Sequence, residues 1–199
     1  MLRRRRMVRS YRPDPVDPAA LERIAATIRR APSAGFSQGQ RLVVVTDPEL
    51  RARIAELADE AEYVAAGFAP WISSSPVHVV VGVREADYHE RYQEPDKLQA
   101  DGTEIEWPVP YWFVDAGAAF MLVLLAAIDE GLAAGFFGLS RLRELRGLLG
   151  IPDDVTPVGV ATIGRPAPDP LSDRASSRKS SRRKPLDELV HWERWGAVA

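Results

Sequence analysis

From Ala116 to Ile128 the chain carries only apolar side chains and one glycine, with no charge or hydrogen-bonding group on any face. A helix that is apolar all the way round has no side to give to water, so it must lie in the middle of the molecule or at a contact between subunits. The run is shorter than the about 20 residues that cross a bilayer, which points to a soluble protein with no membrane partner. Asp115, just ahead of it, reads as the helix cap. The other elements of a 199-residue chain, the length of one compact domain, must wrap around this helix.

Those elements have recognisable punctuation. Asp17-Pro18 supplies a cap and a first helical residue, and Leu21, Ile24, Ala25 and Ile28 follow at helical spacing. After the breaker Ala31-Pro32-Ser33-Ala34-Gly35, Leu42-Val43-Val44-Val45 reads as a strand buried on both faces. Asp47-Pro48 repeats the capping device for a helix with Leu50, Ile54, Leu57, Ala58 and Ala61 on one side. Val77 to Val83 is a second buried strand and Val158 to Ile163 a third; Leu142 to Leu149 is a short helix and Gly131 to Leu139 a glycine-punctuated segment. The stretch from Glu85 to Tyr111 is charged, rich in Tyr, Trp and Pro, and lacks either period, so residues 85–112 read as a lid-like insertion. A basic run, Arg178 to Lys184, precedes an amphipathic tail that makes 185–199 a C-terminal arm of the same single domain, 1–199. Helices mixed with buried strands predict a layered α/β or α+β domain.

The chemistry is bounded by what is missing. With no cysteine there is no disulfide, thiolate metal site, iron–sulfur cluster or cysteine nucleophile, so redox chemistry would need a borrowed cofactor. Twenty-six Lys plus Arg against 28 Asp plus Glu give a net charge of -2, so an anion site must be local and a general nucleic-acid role is not expected. No G-x-G-x-x-G follows a strand and no glycine-rich loop ends in Lys-Ser or Lys-Thr, which leaves the dinucleotide fold and the phosphate-loop ATPases unsupported. His78, His89 and His191 are scattered without ligand spacing, so no metal site is expected. Arg3 to Arg6 are followed by Arg9, Ser10, Tyr11 and Arg12 instead of an apolar stretch, and the chain is read as cytoplasmic.

Four segments in order carry a resemblance: RRRRMVRSYRPDPV, APSAGFSQGQRLVVV, DAGAAFMLVLLAAIDEGLAAGFFG, and IPDDVTPVGVATIGRP leading into RRKPLDELV. Together they resemble the nitroreductase family of FMN-dependent flavoproteins across nearly the whole chain. The resemblance implies an α+β fold, a nitroreductase-like mixed sheet wrapped by helices, in an intertwined homodimer with FMN sites at the interface. It places Arg5, Arg6, Met7 and Arg9 on the motif that meets FMN phosphate, ribityl chain and pyrimidine edge, with Met7 where serine is usual. Guanidinium forks suit phosphate oxygens, and fixed positive charge suits an anionic reduced ring. Ser33 and Ala34 fall on flavin-touching positions, Phe36 replaces a common asparagine, and Gln38 is a further candidate. Phe136, Phe137 and Gly138 fall against the isoalloxazine ring, and Arg183 on a phosphate contact.

Each piece also has a plain reading: a solvated basic terminus, a turn between helix and strand, two core phenylalanines. Trp71 stands in the segment where many relatives carry a lysine near the flavin, which puts simple nitro reduction in question. The lid aromatics Tyr88, Tyr92, Trp107, Tyr111 and Trp112 are candidates either to stack on substrate or to anchor a long loop, with Tyr111 and Trp112 taken as the substrate-binding pair. The resemblance implies hydride transfer from NAD(P)H through flavin N5 to a nitro, quinone or related small-molecule electron acceptor. Reductive dehalogenation, other non-nitro chemistry on the same fold, and a non-enzymatic binding protein are the alternatives.

Overall fold

The computed structural model describes residues 2–168 and 183–197. The chain divides into two compact units, Met1–Pro168 and Asp169–Ala199. The first unit holds four strands and six helices in an α+β arrangement: α1 (Pro18–Ala26), β1 (Gln40–Val45), α2 (Pro48–Leu57), α3 (Glu60–Ala65), β2 (Val77–Arg84), α4 (Ala86–Tyr92), α5 (Tyr111–Asp129), β3 (Ala133–Phe137), α6 (Leu142–Leu149) and β4 (Val155–Gly164).

The sheet order is β1-β2-β4-β3 and every pairing is antiparallel. Central β2 is buried along its length until Arg84, as its unbroken valine run requires. The equally valine-rich β1 is different. It is an edge strand, with Arg41 and Val44 exposed and only Gln40 and Val45 buried, because β2 covers one side and, among the described residues, nothing pairs with the other. The expectation of burial on both faces was therefore wrong for β1: composition does not tell a strand's place in the order.

Helix α5 packs across one face of the sheet, where Val123, Leu124 and Ala127 meet Val77, Val79, Ala161 and Ile163. Its length is 19 residues, enough by length and composition to cross a membrane, but eight of its side chains are buried against the rest of the fold, as in a core helix. It begins at Tyr111 after Pro110, so Asp115 is inside it and does not cap it. On the opposite face α2 and α6 lay Ile54, Ala55 and Leu145 against Val80, Val160 and Phe137, with Trp71 and Ile72 filling the same core.

The proline-marked starts are as the sequence implies: Asp17 accepts from the Ala19 N–H at 3.0 Å and Asp47 from the Leu50 N–H at 2.8 Å. Two helices are shorter than their periodicity. Helix α1 tightens into a 3-10 turn at Thr27, and α2 stops before Asp59, whose φ of 53° starts α3 afresh. The glycine-punctuated segment contains β3, and the irregular 85–112 stretch contains α4. In the C-terminal unit a 3-10 turn spans Leu186–Glu188, and Leu186, Leu189, Trp192 and Trp195 are exposed. Arg178 and Arg182 lie outside the described residues.

Candidate functional site

The arginine-rich start of the chain is strapped to the free edge of the sheet. The Val8 N–H donates to the Ala134 carbonyl at 3.3 Å, the Arg12 N–H to Arg165 at 2.9 Å, and the Phe136 N–H to the Met7 sulfur at 3.3 Å. Tyr11 pins the strap: its hydroxyl lies 3.0 Å from the Val8 carbonyl oxygen and 2.8 Å from Thr162 Oγ1, and burial holds it protonated far above the ordinary range. Gly135 makes this approach possible, because a Cβ there would fall 2.3 Å from the Val8 oxygen.

On this strap Arg5 and Arg6 are exposed and Arg9 is half-buried. Among the described residues none of the three forms an ion pair, although arginines elsewhere in the unit do. Arg9 sets its guanidinium 5.5 Å from the ring centroid of Trp71, which is almost fully buried. Trp71 thus occupies the floor beneath the strap, edge-on to Phe137, whose ring also meets His78. His78 is fully buried, its Nε2 2.7 Å from the Ile72 carbonyl oxygen; burial pushes its pKa down to about 4, helped by the Arg51 charge and opposed by that hydrogen bond.

The two phenylalanines of β3 point to opposite sides, as strand alternation demands. Phe137 is core. Phe136 is 46% exposed and lies edge-on to Phe120 of α5, with rings 5.5 Å apart. The Phe137 ring is therefore closed to a ligand. Beyond it, Gly138 has open space where a Cβ would stand, so no contact among the described residues demands glycine there.

Ser33 and Ala34 belong to a tightly wound loop at the entrance to β1. Ser33 Oγ accepts from the Gln38 N–H at 3.0 Å, and the Ala34 N–H donates to the Asp115 carboxylate at 2.8 Å. Gly35, Phe36 and Gln38 all have positive φ, at 59°, 64° and 53°. Arg91 donates to the Gly35 carbonyl at 2.9 Å, and the Tyr92 ring presses where a Gly35 Cβ would be. The strap does not come with this loop: the strap runs along β3 and the loop feeds β1, at opposite edges of the sheet.

The 85–112 segment is firmly packed. Tyr88 is fully buried and Trp112 nearly so, in a cluster with Val83 and Ala116, and Trp107 donates to Glu104 at 2.6 Å. Trp112 therefore offers no face to a substrate, while Tyr111 is 38% exposed. Sequence reasoning missed Asp115, which is buried and reaches back 81 residues to hold the loop. Its signal was legible: one carboxylate inside an apolar helix needs a partner. Gly135 and Arg91 gave no comparable signal.

Known proteins resemble this chain along most of its length. A Bacillus subtilis protein named FMN reductase (NAD(P)H) is 31% identical over 193 residues, 94% of this chain and 70% of its own. A Rhodobacter capsulatus protein named 5,6-dimethylbenzimidazole synthase is 44% identical, but over 54 residues, 27% of this chain and 26% of that one. The crystal structure of a nitroreductase family protein from Streptococcus pneumoniae TIGR4 superposes with a TM-score of 0.70 at 20% identity, covering 95% of this chain and 96% of the other. The model of the nitroreductase family matches residues 2–165, from the strap through the last strand. With strap, sheet and loop all inside that match, the chain belongs to the nitroreductase family.

Proposed function

We propose that the chain is an FMN-dependent oxidoreductase that passes hydride from NAD(P)H through flavin N5 to a nitro, quinone or related electrophilic small molecule. The observation that carries this is the set of three guanidinium groups, Arg5, Arg6 and Arg9, gathered on one strap without carboxylate partners among the described residues. A phosphate group with a polar ring edge matches that donor set, because guanidinium forks bind phosphate oxygens bidentately and keep their charge at every working pH. The Phe136 N–H, which has only a weak sulfur acceptor in Met7, is free to take a better one, and the space at Gly138 leaves the backbone approachable.

Arg5 and Arg6 would hold the phosphate, and Arg9 would place fixed charge beside the ring edge; for Arg183, in the C-terminal unit, the family resemblance alone implies a phosphate contact. The Ser33 hydroxyl, whose oxygen accepts from Gln38, keeps its hydrogen to donate; Ala34 gives its N–H to Asp115, so its part is packing. Tyr111 would line the acceptor side, and buried Trp112 would anchor the turn that carries it. Bound FMN supplies the two-electron chemistry. No general acid or base is assigned.

A second copy completes the site. Strap and loop lie at opposite edges of a four-stranded sheet, about 14 Å apart at the usual strand spacing. The face of α5 that the sheet does not cover presents Phe113, Val114 and Met121, with Phe136 of β3 beside Phe120. An uncovered apolar face of this extent marks a subunit contact, and a homodimer would bring one copy's loop to the other's strap. The supply of NAD(P)H places the work in the cytoplasm.

Trp71 and the short match to a 5,6-dimethylbenzimidazole synthase support a second reading, non-nitro chemistry on the same fold. The test is direct: the purified protein should be yellow, release FMN on denaturation, and oxidise NADH or NADPH when given a nitroaromatic or a quinone. A colourless protein that takes up no added FMN contradicts both readings. A flavoprotein inert towards every such acceptor leaves the second.

A further inference from the structure

Phe36 is a bulky side chain on a backbone conformation that does not suit it. Its φ of 64° is a left-handed conformation that a bulky residue rarely adopts, and it costs backbone strain. Burial does not offset that cost, since the ring is 72% exposed. Nor is the loop merely slack. The Asp115 carboxylate holds Ala34, the Arg91 guanidinium holds Gly35 and Tyr92 packs against Gly35, so groups on two helices fix the backbone on the residues before Phe36. Ser33 Oγ closes the turn behind it by accepting from Gln38. A strained backbone fixed from several sides, presenting an aromatic ring to solvent, is the pattern expected where geometry serves a ligand.

Asp115 also ties the loop to α5 at the point where the uncovered apolar face begins, since Val114 is its neighbour. Phe36 therefore stands beside the surface that a second copy would cover. What it offers is a flat apolar ring with no hydrogen-bonding atom, which discriminates by shape and stacking and not by polarity.

We propose that Phe36 selects the electron acceptor: its ring lies against flat aromatic acceptors, of the quinone or nitroaromatic class, at the site that two copies form. This rests on the reading that residues 33–38 line that site. Asp115 and Arg91 are positioning residues, acting through the loop. Stacking against an aromatic ring changes binding by up to about tenfold, which sets the size of the effect.

The experiment compares menadione, a flat quinone, with ferricyanide, an octahedral ion that cannot stack, using the full chain with FMN bound. Replacing Phe36 by Ala or Asn should lower the ratio of kcat/KM for menadione over ferricyanide about tenfold, and Phe36→Trp should restore it. Phe36→Asn should also keep or raise the melting temperature, because asparagine tolerates the left-handed region. An unchanged ratio overturns the proposal, as does a drop that Trp does not rescue. Loss of FMN or of the dimer on Phe36→Ala would make the residue a cofactor or assembly contact and also overturn it. If the unaltered protein takes up no flavin and reduces neither acceptor, the functional reading itself fails, a result distinct from any change in ratio.

Discussion

Arg84 at the end of β2 and Arg91 of the 85–112 region, on one side, and Arg9 of the strap, on the other, carry the same side chain into opposite surroundings. Arg84 meets Asp87, Glu90 and Asp154, and Arg91 meets Asp96 at 2.7 Å, Glu94 at 3.0 Å and the Gly35 carbonyl. Arg9 has the face of Trp71 and, among the described residues, no carboxylate. The segment that looked like a loose lid is therefore held by its charges, and the segment that looked like a plain basic terminus keeps its charges available. The difference teaches that arginine count is a poor guide to an anion site, and that the absence of local partners is a better one.

The sharpest way to break this comparison is to remove an anchor of the 85–112 region. Trp112→Ala should destabilise the protein by about 3–5 kcal/mol in denaturant melts, the usual range for deleting a large buried aromatic. A change within about 0.5 kcal/mol would mean the segment is a lid after all.

The floor beneath the strap is the next target. His78 is held neutral by burial, with a folded pKa of about 4 against about 6.5 unfolded, so the unfolded chain binds the extra proton first on acidification. Its contribution is fully present above pH 6.5 and is lost as the pH falls towards 4, by about 3 kcal/mol in total. His78→Leu should remove that part of the slope from the pH dependence of unfolding. An unaltered slope would show that the floor is already open to water.

The smallest effect on stability is expected in the strap itself. Arg5→Ala and Arg9→Ala should shift unfolding by no more than about 0.5 kcal/mol, while weakening FMN binding by about 1.5–3 kcal/mol, the range for a hydrogen bond to a charged group. Arg84→Ala should do the reverse, lowering stability with flavin affinity intact. Equal flavin losses at Arg84 and Arg9 would reduce the strap to part of a diffuse basic surface.

Much of this architecture was readable in the chain because its causes are local. The two Asp-Pro caps, the buried valine run of β2 and the α6 helix each depend on neighbours within a few residues. What escaped depends on partners far along the sequence. The burial of β1 follows from its place at the edge, and the start of α5 shifts because Asp115 serves Ala34 instead of its own helix. Strand β3 hid behind its glycine, which is there to admit the Val8 carbonyl. At the site the arginines were visible from the start, whereas the Met7–Phe136 contact and the clamp on Gly35 needed the fold to bring them together.

The central claim is that the strap of one copy and the loop of another make a shared FMN site, and native mass spectrometry of the purified chain tests it most directly. The account predicts two chains carrying two FMN, with flavin and dimer lost together as the complex is dissociated. A single chain that retains FMN, or a dimer with no flavin after incubation with excess FMN, would contradict it.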